Sequence, residues 1–394
     1  MTQETQKLYE GIRKVKQDLV NKLENRRSKK NFVVLIAGGS ASGKTSLIAE
    51  RIQDMYKKDS LILSMDNYYK GTEYVKKHKL SFDDPEALDI KLFRKHLKAL
   101  KAGETIKSPV YSFKKSVRTD KTTTIRPKKI IIVEGLYALH DNLHTVGDYK
   151  VFVDLGTHGR LLRRIFRDVH RTGQYAKDIF NYFTQVVEPK NYQHIEPTKK
   201  NADVVISNKY IAFVESRSAG MDHKQMQIKF EMKQSEAMQV YKVIHSLGGI
   251  YAGSHDCEDY FFSPGDLDLH QTDEIVKVSK APQGKYLFSY RGPKDMHIFY
   301  ESRYGIDFFV TEKILKQFKK LYGNFKLKLK KNRTNFYLDG LLISMDHFKK
   351  QNQCYLHIHF AEGFRQKTLR NLLDRLGLDY KKGIKKSYFE LMDK

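Results

Sequence analysis

Eight consecutive residues, Gly38-Gly39-Ser40-Ala41-Ser42-Gly43-Lys44-Thr45, spell G-x-x-x-x-G-K-T. Glycines at these positions let successive backbone N–H groups turn toward phosphates, Lys44 supplies a cation for the outer phosphates, and the Thr45 hydroxyl can ligate Mg²⁺. A nucleoside triphosphate is therefore the first ligand expected. Two carboxylates extend the chemistry. Glu134 ends the run Ile130-Ile131-Ile132-Val133 and can hold Mg²⁺ directly or through water. Asp66, just beyond Leu61-Ile62-Leu63-Ser64, is the candidate base that orients an acceptor hydroxyl and takes its proton. Each acid taken alone also reads as a strand-end, turn or capping residue.

These groups need a scaffold, and the chain supplies one. The apolar run Phe32 to Ala37 precedes the phosphate loop and Ser46-Leu47-Ile48-Ala49 follows it, so a strand feeds a loop that opens a helix. Val151-Phe152-Val153 and Val204-Val205-Ile206 are further short apolar strands, separated by helical stretches. Continuous apolar strands alternating with helices predict an α/β domain with a doubly wound, mainly parallel sheet. Before it, Leu8, Ile12, Val15, Leu19 and Leu23 recur at helical spacing, predicting one amphipathic helix within residues 1–30.

The texture changes after Ser216-Arg217-Ser218-Ala219-Gly220, a plausible linker. In Gln225 to Lys233 every odd position is polar and every even one apolar; Phe325 to Lys330 and Tyr355 to Phe360 repeat the alternation. An antiparallel sheet is expected, interrupted by helices at 312–322 and 366–376. Whether the charged faces look at solvent or into a lumen stays open. The expected organisation is a helix at 1–30, an α/β phosphate-loop domain at 31–215 and a second domain at 216–394.

Composition adds a bias toward anions. Lys and Arg number 72 against 46 Asp and Glu, a formal charge of +26, which favours nucleotides, polyphosphate, RNA or acidic membranes over cationic partners. A solvated lysine-rich surface is the plain alternative. Cys257 and Cys354 are too few for a disulfide framework, and no apolar run approaches the ~20 residues of a membrane helix. The expectation is a soluble, cytoplasmic protein without a membrane partner.

The motifs also occur in a familiar order. The phosphate loop, Ser64-Met65-Asp66-Asn67-Tyr68-Tyr69, Phe82-Asp83-Asp84-Pro85-Glu86-Ala87-Leu88-Asp89, Pro109-Val110-Tyr111-Ser112-Phe113, Val133-Glu134-Gly135, Arg160 to Asp168 and Pro197 to Ile206 resemble the uridine kinase and phosphoribulokinase family over about half the chain. The resemblance implies ATP at Gly38 to Thr45, Mg²⁺ at Thr45 and Glu134, and Asp66 as base toward a ribose-type 5′-hydroxyl. It implies a catalytic set of Lys44, Asp66, Arg164 and Arg167, with the Arg160 to Arg167 helix as a lid, and an acceptor pocket of Tyr69, Asp83, Tyr111, Phe113 and Arg118. Several guanidiniums over a triphosphate stabilise charge spread over the transferring group and help exclude water. Departures cluster around the acceptor: Ser116 replaces an expected histidine, Thr172-Gly173-Gln174 replaces Arg-Gly-Arg, and Tyr182 replaces a glutamine. The phosphate and metal apparatus is kept while nucleoside recognition is altered.

Residues from about 225 onward resemble the CYTH superfamily of triphosphate tunnel enzymes, in which an eight-stranded antiparallel barrel surrounds a charged lumen. The resemblance rests on Lys229-Phe230-Glu231-Met232-Lys233, Phe288 to Pro293, Lys330-Lys331-Asn332-Arg333 and Ser387 to Leu391. It implies phosphate-chain contacts from Glu231, Lys233, Arg291, Lys331 and Arg333. Lys229, His357 and His359 stand where that family carries acids, which weakens metal assembly and favours a binding barrel over an efficient triphosphatase. His357 and His359 share a strand face, but no third transition-metal ligand is assigned.

The leading reading is an ATP- and Mg²⁺-dependent phosphotransferase acting on a nucleoside or another small hydroxyl acceptor. Hydrolysis of pyrophosphate, triphosphate or short polyphosphate is the alternative. Non-catalytic binding of RNA or polyphosphate is the third reading.

Overall fold

The computed structural model describes residues 3–28, 30–113, 115–208, 224–263, 269–280, 284–296, 300–360 and 366–392. The chain divides into two compact units, residues 1–210 and 211–394. The linker expected at 216–220 lies outside the described residues.

The first unit contains strands β1 (Phe32–Ala37), β2 (Ser60–Ser64), β3 (Ile106–Ser112), β4 (Val117–Ile125), β5 (Ile130–Glu134), β6 (Tyr149–Asp154) and β7 (Val204–Ser207). Five of them form a parallel sheet in the order β2-β5-β1-β6-β7. Every residue of β1 and β5 is buried, because both faces of the sheet are covered. On one face Val33, Leu35 and Ala37 share a core with Phe93, Leu97 and Leu100 of the helix Ile90–Ala102. On the other, Phe32, Val34 and Ile36 pack with Leu8, Ile12, Val15 and Leu19 of the helix Gln3–Glu24. The amphipathic helix is thus part of this unit's core; each such buried aliphatic contributes about 1.5–3 kcal/mol over exposure. Strands β3 and β4 form a separate antiparallel hairpin, which the apolar-run pattern does not announce.

The second unit contains β8 (Lys224–Met232), β9 (Ile250–Phe262), β10 (Ile275–Lys280), β11 (Tyr286–Arg291), β12 (Asp295–Met296), β13 (Glu301–Val310), β14 (Leu327–Leu338), β15 (Leu341–Phe348) and β16 (Gln353–Phe360). They form one antiparallel sheet in the order β11-β10-β9-β14-β15-β16-β8-β13-β12, and β13 also pairs with β11 from Tyr286↔Val310 to Arg291↔Gly305. The helices expected at 312–322 and 366–376 appear as Glu312–Tyr322 and Gln366–Arg375.

The period-two runs have two different outcomes. On β8, Met226, Ile228, Phe230 and Met232 join a core with Ala237, Val240, Ile244, Leu369 and Leu372, while Lys229 on the opposite face is itself only 2 % exposed. At Lys229 both faces of that strand are enclosed, whereas Glu231, two residues on, is exposed. On β14 the lysines of the Phe325 to Lys330 run point outward: Lys328 and Lys330 are exposed and pair with Glu258 at 3.0 and 2.9 Å.

Candidate functional site

The phosphate loop leaves the C-terminal end of β1, and its turn depends on backbone angles that side chains resist. Gly43 adopts φ 94°, where a Cβ would lie 2.7 Å from Leu47 Cδ1, and Ala41 adopts φ 62°. The helical turn Lys44–Ala49 follows, as the sequence predicts. Lys44 is buried and its Nζ donates to Gly39 O at 3.0 Å. Burial pushes the Lys44 ammonium below its ordinary pKa; the nearby carboxylates of Glu134 and Asp66 oppose that shift, and Arg167 and Arg160 reinforce it. Lys44 therefore stands within electrostatic reach of both predicted acids and of the arginine helix.

Glu134 ends β5 next to β1, with Ile36 and Glu134 in register. Thr45 Oγ1 donates to Glu134 Oε2 at 3.0 Å. A hydroxyl and a carboxylate converging beside a phosphate loop are the hard oxygen donors that Mg²⁺ takes, so the donor set fits that ion. Asp66, half-buried, sits in the short helical turn Met65–Tyr68 after β2, with its backbone N–H bonded to Ser64 Oγ at 3.3 Å. Its charge is felt by Lys44 on one side and by Tyr69 and Tyr111 on the other. The base candidate is thus close enough to feel both the phosphate-loop lysine and the aromatic wall.

The helix Thr157–Thr172 supplies the arginines, which hold different positions. Arg160 is a buried anchor: its Nη2 lies 2.8 and 2.6 Å from the Glu188 carboxylate oxygens, and its Nε donates to Leu155 O at 2.9 Å. Thr157 Oγ1 donates to the same carboxylate at 2.5 Å. Arg164 Nη1 donates to Ser40 Oγ at 3.0 Å and Arg163 Nη1 contacts Ser42 O at 3.4 Å, so this helix lies directly over the loop. Arg167 is half-exposed and its Nε donates to Asp168 Oδ1 at 2.7 Å. Glu188 and Asn208, whose Nδ2 donates to Ser42 O at 2.5 Å, are missed by the sequence reading. Asn208 directly follows β7, the edge strand whose C-terminal end lies on the loop side, and only the sheet order reveals that.

On the acceptor side Tyr69 is in edge contact with Phe82 at 5.7 Å and packs against Tyr111 at 5.6 Å, and Tyr111 continues to Phe113 at 5.3 Å. Phe113 is half exposed, leaving the wall open at that end. Asp83 is 5 % exposed; burial pushes its carboxyl above the usual range, against the pull of Arg164 and of a hydrogen bond from Tyr182. Tyr137 holds the backbone there, its hydroxyl donating to Asp83 O at 2.5 Å. Arg118 is engaged elsewhere: it donates to Tyr69 O at 3.0 Å and Tyr68 O at 2.5 Å and pairs with Asp89 at 3.3 Å. Its guanidinium clamps the turn that carries Asp66. Ser116 takes φ 52° in the β3–β4 turn, and its carbonyl accepts from Thr72 N and Oγ1, both at 2.9 Å. Thr172 ends the arginine helix, Gly173 takes φ 70°, and Gln174 is exposed.

In the second unit, Arg333 and Asp346 form a two-point ion pair at 2.6 and 2.6 Å, and Lys331 lies 2.8 Å from Asp259 and 3.2 Å from Asp346. Tyr388 donates to Asp346 at 2.9 Å and lies 2.6 Å from His357 Nε2, while Lys229 Nζ donates to Lys386 O at 2.6 Å. Arg291 pairs with Asp307 at 2.8 Å and Arg303 with Glu301. The acids absent at 229, 357 and 359 are thus offset by Asp259, Asp346, Glu301 and Asp307, which the sequence reading overlooks. Of the predicted contacts, Lys331, Arg333 and Arg291 belong to these ion pairs. Glu231 is exposed with Gln353 Nε2 at 3.1 Å, and Lys233 is exposed where the helix Gln234–Ser246 begins. Among the described residues no group of three or more His, Cys, Asp or Glu could hold a metal, and His357 and His359 stack at 5.7 Å without a further ligand.

Comparison of sequences with known proteins bears on the first unit. The model of the phosphoribulokinase / uridine kinase family matches residues 33–211. A uridine kinase of Macrococcus caseolyticus is 38 % identical over 181 residues, spanning 45 % of this chain and 88 % of that protein. The chain belongs to this family. It is an enzyme, an ATP-dependent kinase. A uridine kinase of Clostridium novyi is 39 % identical over 180 residues, 44 % of this chain and 86 % of the relative. Among solved structures, the PH1012 protein of Pyrococcus horikoshii OT3 is similar over 42 % of this chain and 98 % of its own, with 22 % identity and a TM-score of 0.36. No helix among the described residues is long and apolar enough to cross a membrane.

Proposed function

We propose that the first unit transfers the γ-phosphoryl group of ATP to a primary hydroxyl of a nucleoside-type acceptor, with Asp66 as the base. The observation that carries this reading is that Asp66, in the turn after β2, is coupled electrostatically both to Lys44 of the phosphate loop and to Tyr69 and Tyr111. Uridine kinase relatives at 38 and 39 % identity support the acceptor class. Thr45 and Glu134 would hold Mg²⁺, which when bound neutralises charge on the triphosphate. Lys44 and the loop amides hold the outer phosphates. Asp66 orients the acceptor oxygen and takes its proton as the bond to phosphorus forms. Arg164, seated on Ser40, and Arg167 face the charge that develops on the transferring group, and their helix excludes water. Tyr69, Tyr111 and Phe113 hold the acceptor's ring, and Asp83 accepts from its hydroxyls.

For the second unit we propose phosphate-chain binding without efficient hydrolysis. The β11–β13 pairing supports closure of eight strands into a barrel, on whose inward face Lys229, Lys331 and Arg333 would lie. A bound chain would take over cations now paired with Asp259, Asp346 and Asp307. Those carboxylates are engaged with cations, which leaves them poorly placed to assemble the metals that activate water.

The test is an ATP and Mg²⁺ incubation with a nucleoside panel, read by the mass of every product. Wild type is expected to yield one nucleoside monophosphate, and Asp66→Asn to lower its rate by about 10²–10⁴-fold. An unreduced rate in Asp66→Asn would remove the assignment of the base. Tripolyphosphate is expected to raise the melting temperature of wild type more than that of Lys331→Met.

A further inference from the structure

A cleft of about 490 Å³ is lined by none of the residues assigned above to ATP or acceptor. Its lining brings together the cations Lys70, Lys91 and Arg94, the acids Glu86 and Asp89, the aliphatic Leu88 and Ile90, and His140 and Asn142. The volume falls in the range of small-ligand sites.

Its cations are available. Among the described residues, neither Lys91 nor Arg94 forms an ion pair, and the buried Nε of Arg94 makes no hydrogen bond. Lys70 is held by the Tyr74 ring and hydroxyl, with Nζ 4.3 Å from the centroid and 3.2 Å from the oxygen, so it is positioned without being neutralised. The two acids on the lining reduce this charge without outnumbering the cations. Asp89 is committed to Arg118 at 3.3 Å and to the backbone N–H of Leu92 at 3.1 Å, where it caps the helix Ile90–Ala102; Glu86 is exposed. Three cations, two aliphatic side chains, an imidazole and an amide around one cleft match a phosphate joined to a planar polar ring.

We infer that this cleft is a second nucleotide site, taking a nucleoside monophosphate whose phosphate meets Lys70, Lys91 and Arg94 and whose base lies on Leu88 and Ile90 facing His140 and Asn142. Its contacts lead to the reaction centre by two short routes. Asp89 anchors Arg118, which clamps the carbonyls of Tyr68 and Tyr69 beside Asp66. His140 is in edge contact with Tyr137 at 6.3 Å, and Tyr137 holds the Asp83 carbonyl. These contacts connect the cleft to the acceptor side of the site and not to the phosphate loop.

The test is calorimetric titration of the full chain with the four common ribonucleoside 5′-monophosphates and with inorganic phosphate, the phosphate loop being saturated with a non-hydrolysable ATP analogue and Mg²⁺. Asp83→Asn weakens product binding in the acceptor pocket and exposes the second component. At least one monophosphate is expected to bind in Asp83→Asn, and its affinity to fall about tenfold or more when Arg94→Gln or Lys91→Gln is added, about 1.4 kcal/mol per lost charge-assisted contact. Binding that disappears with Asp83→Asn, that ignores Arg94→Gln, or that inorganic phosphate matches in strength would overturn the inference. Because the readout is binding, failure here is distinguishable from failure of the kinase assay.

Discussion

The Tyr182 hydroxyl lies 3.4 Å from Asp83 Oδ2, and the Arg164 guanidinium sits over the Tyr182 ring at 5.6 Å. One aromatic side chain thus joins the acidic residue of the acceptor pocket to the arginine helix above the phosphate loop. Tyr182 stands where the resemblance leads one to expect glutamine. Its ring occupies space on the acceptor side, and its hydroxyl uses part of the hydrogen-bonding capacity of Asp83.

The first prediction follows directly. Tyr182→Gln frees Asp83 and opens the pocket, so kcat/KM ratios between competing acceptors are expected to shift by about tenfold or more, while KM for ATP stays within about twofold. Steady-state kinetics over the nucleoside panel measures this. Equal changes for all acceptors would show that Tyr182 does not discriminate among them.

The second concerns the anchor of the arginine helix. Arg160 and Glu188 are 3 and 1 % exposed, so Glu188→Gln leaves a buried guanidinium without its countercharge and is expected to cost about 3–5 kcal/mol in urea unfolding. Adding Arg160→Met should recover much of that loss, since a buried pair replaced by apolar groups is often close to neutral. A double variant no more stable than Glu188→Gln would place the cost elsewhere.

The third is a pH effect in the second unit. Burial pushes His359 down to about 4 and His357 well below its ordinary value, helped by Lys229 and Arg333. The unfolded chain takes up protons near pH 6.5 while the folded unit does not, so stability falls as pH drops from about 6.5 to 4. The slope is up to about 1.4 kcal/mol per pH unit for each histidine. Chemical denaturation at stepped pH should show the slope, reduced in His359→Asn; Asp346, held well below the carboxylate range, contributes only at lower pH.

The chemistry of the first unit is legible in sequence because it is local. The phosphate loop is one contiguous turn between a strand and a helix, and Glu134 and Asp66 follow apolar runs whose C-terminal ends share one sheet edge. Glu188 and Asn208 are not legible, because their partners lie 28 and 166 residues away and no local pattern marks them. Arg118 shows the limit of carrying over a motif: its position matches, yet its guanidinium is engaged by the Tyr68 and Tyr69 carbonyls. In the second unit, alternation predicts strands but not which face is enclosed. Lys229 and Lys330 follow the same pattern, one buried and one exposed, because only the pairing of β8 and β14 with their neighbours decides the side.

The central claim is that phosphoryl transfer to an acceptor occurs in the first unit through Asp66. Its most direct test follows the label of γ-³²P-ATP in wild type, Asp66→Asn and Lys331→Met with Mg²⁺ and the nucleoside panel present. The account predicts label in a phosphorylated acceptor, lost in Asp66→Asn and retained in Lys331→Met. Label released as orthophosphate without an acceptor, persisting in Asp66→Asn and falling in Lys331→Met, would contradict it and assign the chemistry to the second unit.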